Sequence, residues 1–149
     1  MSNSWTDAEN NVVSYLCTQL GDTLNTEGFA GEFPASFADE SLDYMWFFAI
    51  TGGGTPDDVG AGVPYCGMNA NAVFEGIFES REKAQEYGIA VKNLLPVATG
   101  TITNIQDLRL ANEPEIVRGE VRRDPDQVEA GNVRIWHLII QLDCIVIEA

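Results

Sequence analysis

The run of residues 133–147 at the end of the chain constrains the fold more than any other feature. Because strand side chains alternate between two faces, this run predicts one β-strand with an apolar face, which Arg134 begins. At about 50 Å such a strand far exceeds the usual length. It either spans a bent sheet or projects past its own domain to pair with another chain. The apolar face consists of Trp136, Leu138, Ile140, Leu142, Cys144 and Val146.

The first part of the chain predicts an amphipathic helix over residues 7–20. Thr6 with Glu9 three residues later forms a capping box, and Gly21 offers a stop. Between them, apolar residues recur at helical spacing. This face consists of Val12, Val13, Leu16, Cys17 and Leu20.

A second helix is predicted after Ser80, which is a good N-cap residue. Pro96 closes this helix because proline cannot continue the hydrogen-bond pattern. Its apolar face consists of Ala84, Tyr87, Gly88, Val91 and Leu95.

Shorter strands are predicted between and after the helices. The aromatic run 44–50 predicts a strand, and the Gly-, Pro- and Asp-rich residues 51–67 predict a loop. A further strand is predicted at residues 72–79, where Gly76 weakens the pattern. Two more strands are predicted at residues 102–110 and 115–121, and a loop follows at residues 122–131.

This order of elements indicates the α+β class. We expect a mostly antiparallel sheet, two helices packed on one side of it, and a long C-terminal strand. No linker divides residues 1–149, so the chain is expected to form a single domain. The helices and the long strand should share one core, with these residues buried together: Val13, Leu16, Leu20, Tyr87, Val91, Leu138, Ile140 and Leu142.

The charge is strongly negative, with a net charge of −15, and no Lys or Arg precedes Arg81. Stable nucleic-acid binding and binding to an anionic membrane both depend on Lys and Arg, so we expect neither. Such charge suits plain solubility, a basic protein partner, or a wall past which DNA slides without sticking. The N-terminus lacks the pattern of a signal peptide, and no apolar run approaches the ~20 residues of a membrane helix. We therefore expect a protein that begins in a cytoplasm.

The three cysteines, Cys17, Cys66 and Cys144, are far apart and odd in number. This pattern predicts no intrachain disulfide and no zinc site, and Cys17 and Cys144 lie on apolar faces as core residues.

No pattern in the chain predicts catalysis or a cofactor. The glycines at 52–54 lack phosphate-loop spacing and a lysine, and Asp57 and Asp58 would repel a phosphate. Asp57 and Asp58 lack the surrounding pattern of a calcium loop. The sole histidine, His137, shares a strand face with Asp143, six residues away, and pairs with it only if the strand bends sharply. We therefore expect no enzyme, no catalytic residue, no cofactor and no metal.

Two groups of residues are candidates for a subunit interface. Arg118, Arg122 and Arg123 cluster in a molecule that is poor in positive charge. They form either a solvated hairpin tip paired with neighbouring acids or a contact for an acidic patch on an identical copy in a head-to-tail ring. The second group either plugs the edge of the core or grips a neighbour. It consists of Phe29, Phe33 and Phe37.

The segments VFEGIFESREKAQEYGIAVKNLLP and RIWHLIIQLDCIVIEA, a strand leading into a helix and a terminal strand, carry a resemblance. In this order of elements the chain resembles the tail terminator (tail-tube completion) proteins of long-tailed bacteriophages. The resemblance implies a ring, typically of six copies, stacked on the last tail-tube ring and met by the head-tail connector. It also implies a virion protein of the tail or neck, assembled in the host cytoplasm, with no catalytic residues.

Two alternatives remain open. One is another virion component, such as a tube or head-closure protein. The other is a small ligand-binding or enzyme domain of the cone-shaped α+β type, which places an Asp or His in an apolar pocket. His137 and Asp143 are its candidates.

Overall fold

A computed structural model describes residues 4–33, 44–56, 68–122 and 132–147. The described part contains two helices and six strands. In chain order these are α1 (Ser4–Leu20), β1 (Gly28–Ala30), β2 (Tyr44–Pro56), β3 (Met68–Phe78), α2 (Arg81–Leu94), β4 (Ile105–Leu110), β5 (Glu115–Arg122) and β6 (Asn132–Val146).

The strands form one sheet in the order β1-β2-β3-β6-β4, with β5 also paired to β6. The β1–β2 pair is parallel and the other pairs are antiparallel. The long strand β6 lies at the centre of this arrangement: one edge pairs with β3, and the other pairs first with β5 and then with β4. The predicted α+β class and long C-terminal strand are confirmed.

The core lies between the helices and one face of the sheet, which we call the helical face. Trp46 and Phe48 of β2, Phe74 of β3, and Leu138 and Ile140 of β6 are fully buried there. The predicted apolar face of β6 is confirmed, except that Trp136 at its beginning is only partly buried. Of the eight residues expected to be buried together, Leu20 is partly buried and the other seven are buried.

Helix α1 begins earlier than the sequence predicts, since it already includes Ser4. Thr6 therefore lies inside the first turn, and the predicted capping box is wrong. The carboxylate of Glu9 instead accepts a hydrogen bond from the backbone N–H of Ile50, 2.7 Å away. The predicted stop is confirmed: Gly21 has φ +75°, and the next N–H bonds the carbonyl of Cys17, as in a Schellman motif.

Helix α2 agrees closely with its prediction. The Ser80 hydroxyl accepts a hydrogen bond from the N–H of Lys83, which confirms the N-cap. The helix ends at Leu94, so Leu95, which was predicted on its apolar face, lies just beyond it and is partly buried. The buried residues of the helix are Ala84, Tyr87, Gly88 and Val91.

The predicted loop after residue 50 is wrong for residues 51–56, which continue strand β2. Strand β3 likewise begins at Met68 instead of 72, because the two strands pair along their extended lengths. Irregular register between Ile50 and Gly52, and again between Gly53 and Thr55, absorbs the glycines into the ladder. Gly53 has φ +102°, a conformation that glycine adopts readily.

The remaining strands differ from prediction by a few residues at their ends. β4 begins at Ile105 instead of 102, β5 includes Arg122, and β6 is shifted by one residue. The predicted loops at 57–67 and 123–131 lie outside the described residues, as do Cys66, Phe37 and Arg123.

Candidate functional site

The hairpin of β5 and β6 extends beyond the rest of the sheet. Along β6, pairing with β3 covers Trp136 to Val146, whereas pairing with β5 continues to Asn132. Residues 132–135 thus have β5 on one edge and no strand of the described chain on the other. This two-stranded extension, which we call the arm, adds about 13 Å beyond β3.

The arm places two of the three predicted interface arginines along one strand. Arg118 is exposed and pairs through its backbone with Trp136. Arg122 is the last residue of β5 and pairs with Asn132. Arg123 follows immediately in sequence and lies outside the described residues.

Two of the three phenylalanine candidates, Phe29 and Phe33, lie on the opposite side of the sheet order, near β2. Phe29 belongs to β1, is partly buried, and pairs with Phe47 of β2. Phe33 is also partly buried and packs its ring edge-on against Phe47, with centroids 4.7 Å apart. The structure therefore brings these two residues to one place, away from the arginines.

The outer edges of β2, β4 and β5 differ in whether their backbone groups have hydrogen-bond partners. The outer edge of β2 pairs with β1. Beyond that pairing, the carbonyl of Phe48 accepts a hydrogen bond from the N–H of Gly31, and the N–H of Ile50 donates to the Glu9 carboxylate. At the outer edge of β4, the carbonyl of Leu108 accepts a hydrogen bond from the N–H of Val97. In contrast, among the described residues β5 has backbone hydrogen bonds to β6 alone.

A polar cluster around Asp22 is the most elaborate side-chain network of the described chain. The Asp22 carboxylate accepts hydrogen bonds from the Tyr44 hydroxyl at 2.5 Å, from Trp46 Nε1 at 2.8 Å and from the Tyr87 hydroxyl at 2.8 Å. The Lys83 ammonium lies over both tyrosine rings, 5.0 Å and 5.3 Å from their centroids. Sequence reasoning missed this cluster because its members come from three separate parts of the chain.

The chemistry of this cluster favours neutral phenols. Burial, together with the adjacent Asp22 carboxylate, raises the pKa of Tyr44 to about 12, and burial also raises the pKa of Tyr87. A cavity of about 540 Å³ lies beside the cluster. Its lining includes Tyr44, Lys83 and three glutamates, Glu79, Glu82 and Glu86. The Asp22 carboxylate already accepts hydrogen bonds from three donors. We therefore interpret the cluster as structural, with hydrogen bonds that connect the end of α1 to β2 and α2.

His137 does not pair with Asp143. The carboxylate of Glu75 on the neighbouring strand β3 lies near it, with 3.9 Å between His137 Nε2 and Glu75 Oε2, a distance too long for a hydrogen bond. Asp143 lies about 20 Å further along β6, beside Arg109 in the register. A second cavity of about 540 Å³ includes Asp143, Asp107 and Arg109 in its lining but not His137. The two residues proposed for an enzyme-like pocket are therefore not brought together.

Comparison with known proteins gives no family: no family model matches the chain, and no curated protein matches it. Across the described ranges, neither α1 nor α2 is sufficiently long and apolar for a membrane crossing. In the same ranges, no three His, Cys, Asp or Glu residues are grouped so that they could hold a metal ion.

Proposed function

We propose that the chain is a structural virion protein that closes the end of a phage tail tube as a ring at the junction of tail and neck. Its partners in this proposal are copies of itself, the tail-tube protein and the head-tail connector protein. The arm is the observation that carries the proposal. It is a projecting ribbon with Arg118 exposed and Arg122 at its end, on a chain of net charge −15.

The ring follows from the placement of opposite charges on different parts of one molecule. The arm of one copy contacts the acidic flank of the next, and a head-to-tail contact of this kind generates a ring when the rotation closes. The first 80 residues supply the acidic flank, since they contain no Lys or Arg. The Phe29 and Phe33 region, with Phe37 next to it in sequence, is a second candidate contact in the same ring.

The experiment is binding to purified tail tubes, because the tube supplies the surface on which the ring assembles. The wild type is compared with the double variant Arg122→Glu, Arg123→Glu. The matched control is Lys92→Glu, Arg109→Glu, which changes the net charge equally at two exposed positions away from the arm. We expect the control to bind as the wild type does and the arm variant to lose binding.

The outcomes separate the two parts of the proposal. Equal binding by the arm variant and the wild type would show that the arm is a solvated hairpin tip. Failure of the wild type to bind tubes would contradict the tail assignment itself. Surface ion pairs contribute little to folding, so the control variant is expected to keep the thermal stability of the wild type, and thermal melting of the arm variant verifies that it is folded.

A further inference from the structure

Among the described residues, the outer edge of β5 has no backbone hydrogen-bond partner, whereas the outer edges of β2 and β4 each have at least one. A strand edge presents unpaired N–H and C=O groups, and natural proteins usually cover or charge such edges because they pair with other chains. On this strand Val117 is 41% exposed, one of the few large apolar side chains of the described chain that reach solvent to this degree. An uncovered apolar residue beside an open edge favours pairing with another strand.

The sequence of β5 specifies which strand that is. Residues 117–121 read Val-Arg-Gly-Glu-Val, so the charges are opposite on the two sides of Gly119. When two copies of this strand run antiparallel and meet at Gly119, Arg118 of each lies opposite Glu120 of the other. Val117 of each then lies opposite Val121. Opposite charges and apolar β-branched residues are both favourable cross-strand pairs.

This register also satisfies the symmetry of a dimer. A two-fold axis that relates two antiparallel strands stands perpendicular to the sheet, so paired residues must lie on the same face. Face alternates with residue number, and Val117 and Val121 are both odd-numbered, as Arg118 and Glu120 are both even-numbered. Gly119 pairs with itself on the axis, where the absence of a side chain permits close approach of the backbones.

We propose that in solution two copies of the chain pair β5 to β5 in this register and form a two-fold dimer with one continuous sheet. The contact is isologous and closes on itself, so it cannot extend into a ring. It is therefore an additional contact, which covers the open edge while the chain is not on a tail. Because β5 is also a strand of the arm, the dimer and the ring compete for it.

The test is a charge swap followed by sedimentation analysis across a wide range of protein concentration, without tail tubes. Arg118→Glu alone places Glu opposite Glu120 twice in each dimer, and Glu120→Arg alone places Arg opposite Arg118. We expect either single variant to raise the dissociation constant of the dimer at least about tenfold. The double variant Arg118→Glu, Glu120→Arg exchanges the partners and is expected to restore the dimer.

Restoration by the double variant would support this register. The proposal is overturned if the wild type stays monomeric at every concentration, if the single variants dimerise like the wild type, or if the double variant is no better than the singles. Circular dichroism and thermal melting of each variant verify that the fold is unchanged. Since no tube is used, failure of the dimer leaves the ring proposal standing, and failure of tube binding leaves the dimer standing.

Discussion

Asp22 shows how one residue just after a helix organises distant parts of the chain. It follows the stop at Gly21, and its carboxylate holds donors from β2 and α2. A buried donor that loses its acceptor costs about 1–3 kcal/mol.

Replacing Asp22 with Ala leaves three donors without their acceptor, so we expect the free energy of unfolding to fall by about 2–4 kcal/mol. Urea unfolding measures this loss. Glu32→Ala is the matched control, because Glu32 is exposed, and it should change stability by less than about 0.5 kcal/mol. A loss below about 1 kcal/mol for Asp22→Ala would mean that water replaces the carboxylate at little cost.

The same cluster predicts a loss of stability in alkali. The folded state keeps Tyr44 protonated, with its pKa raised to about 12, whereas an unfolded tyrosine ionises near pH ~10. Above that pH the unfolded chain binds fewer protons than the folded one, so the free energy of unfolding decreases as pH rises. Burial raises the pKa of the Cys17 thiol to about 11, which adds a decrease that begins lower, from about pH 9.

Urea unfolding at a series of pH values from about 8 to 11 measures this dependence, and Tyr44→Phe removes the contribution of this one tyrosine while Tyr87 and the buried thiols remain. We expect the decrease above pH ~10 to be shallower in Tyr44→Phe than in the wild type. Identical pH profiles for the two proteins would show that Tyr44 ionises as easily in the folded chain as in the unfolded one.

Ile140 tests the core from the centre of β6. It is fully buried on the helical face and pairs with Phe74 of β3. Truncation to Ala removes buried methyl groups and leaves a cavity, so we expect a loss of about 2–5 kcal/mol in the free energy of unfolding. Gln141→Ala on the exposed side of the same strand is the control. A loss below about 1 kcal/mol for Ile140→Ala would be incompatible with its place in the core.

At the scale of elements, β2 shows where local sequence and pairing disagree. Three consecutive glycines favour a loop, yet β2 continues through them because β3 and β6 provide a long partner surface. Whether one of these glycines could be replaced by a residue with a Cβ atom depends on its position. A Cβ at Gly53 would lie 2.7 Å from backbone atoms of Ala70 and Asn69, whereas nothing lies within 4 Å of a Cβ at Gly52.

Gly53→Ala therefore combines a backbone clash with a left-handed conformation, and we expect it to destabilise the protein by more than about 1 kcal/mol. Gly52→Ala, its neighbour, is the matched control and should be neutral or slightly stabilising. Thermal unfolding of the two variants measures the difference. Equal melting temperatures would contradict the extended path of β2 through the glycines.

At the scale of the whole molecule, the net charge of −15 opposes the compact state through self-repulsion. Raising the ionic strength from about 0.01 M to 0.15 M shortens the screening length from about 30 Å to 8 Å. We expect the melting temperature to rise over this range, with sodium and potassium chloride giving equal increases because screening depends on ionic strength alone. A melting temperature that falls with salt would show that attractive pairs outweigh the repulsion.

Elements whose signal is local could be predicted from the amino-acid sequence alone. The alternation in β6, the Ser80 cap and the Gly21 stop each depend on neighbouring residues, and each is confirmed. The α+β class follows because such elements have one apolar face each and few ways to bury it. The clustered arginines were noticed because charge clustering is also a local property, and their place in an interface stays a prediction.

Features that join distant segments of the chain depend on how the elements pack, which local patterns do not specify. The donors to Asp22 lie 22, 24 and 65 residues away in sequence. His137 lies near Glu75 and far from Asp143 because strand register, not spacing along β6, sets which side chains approach one another. Tertiary pairing likewise decides that, within the described chain, β5 has a backbone partner on one side only. Pairing and register are settled by the whole core, since a shift of one residue would move every buried side chain to the wrong face.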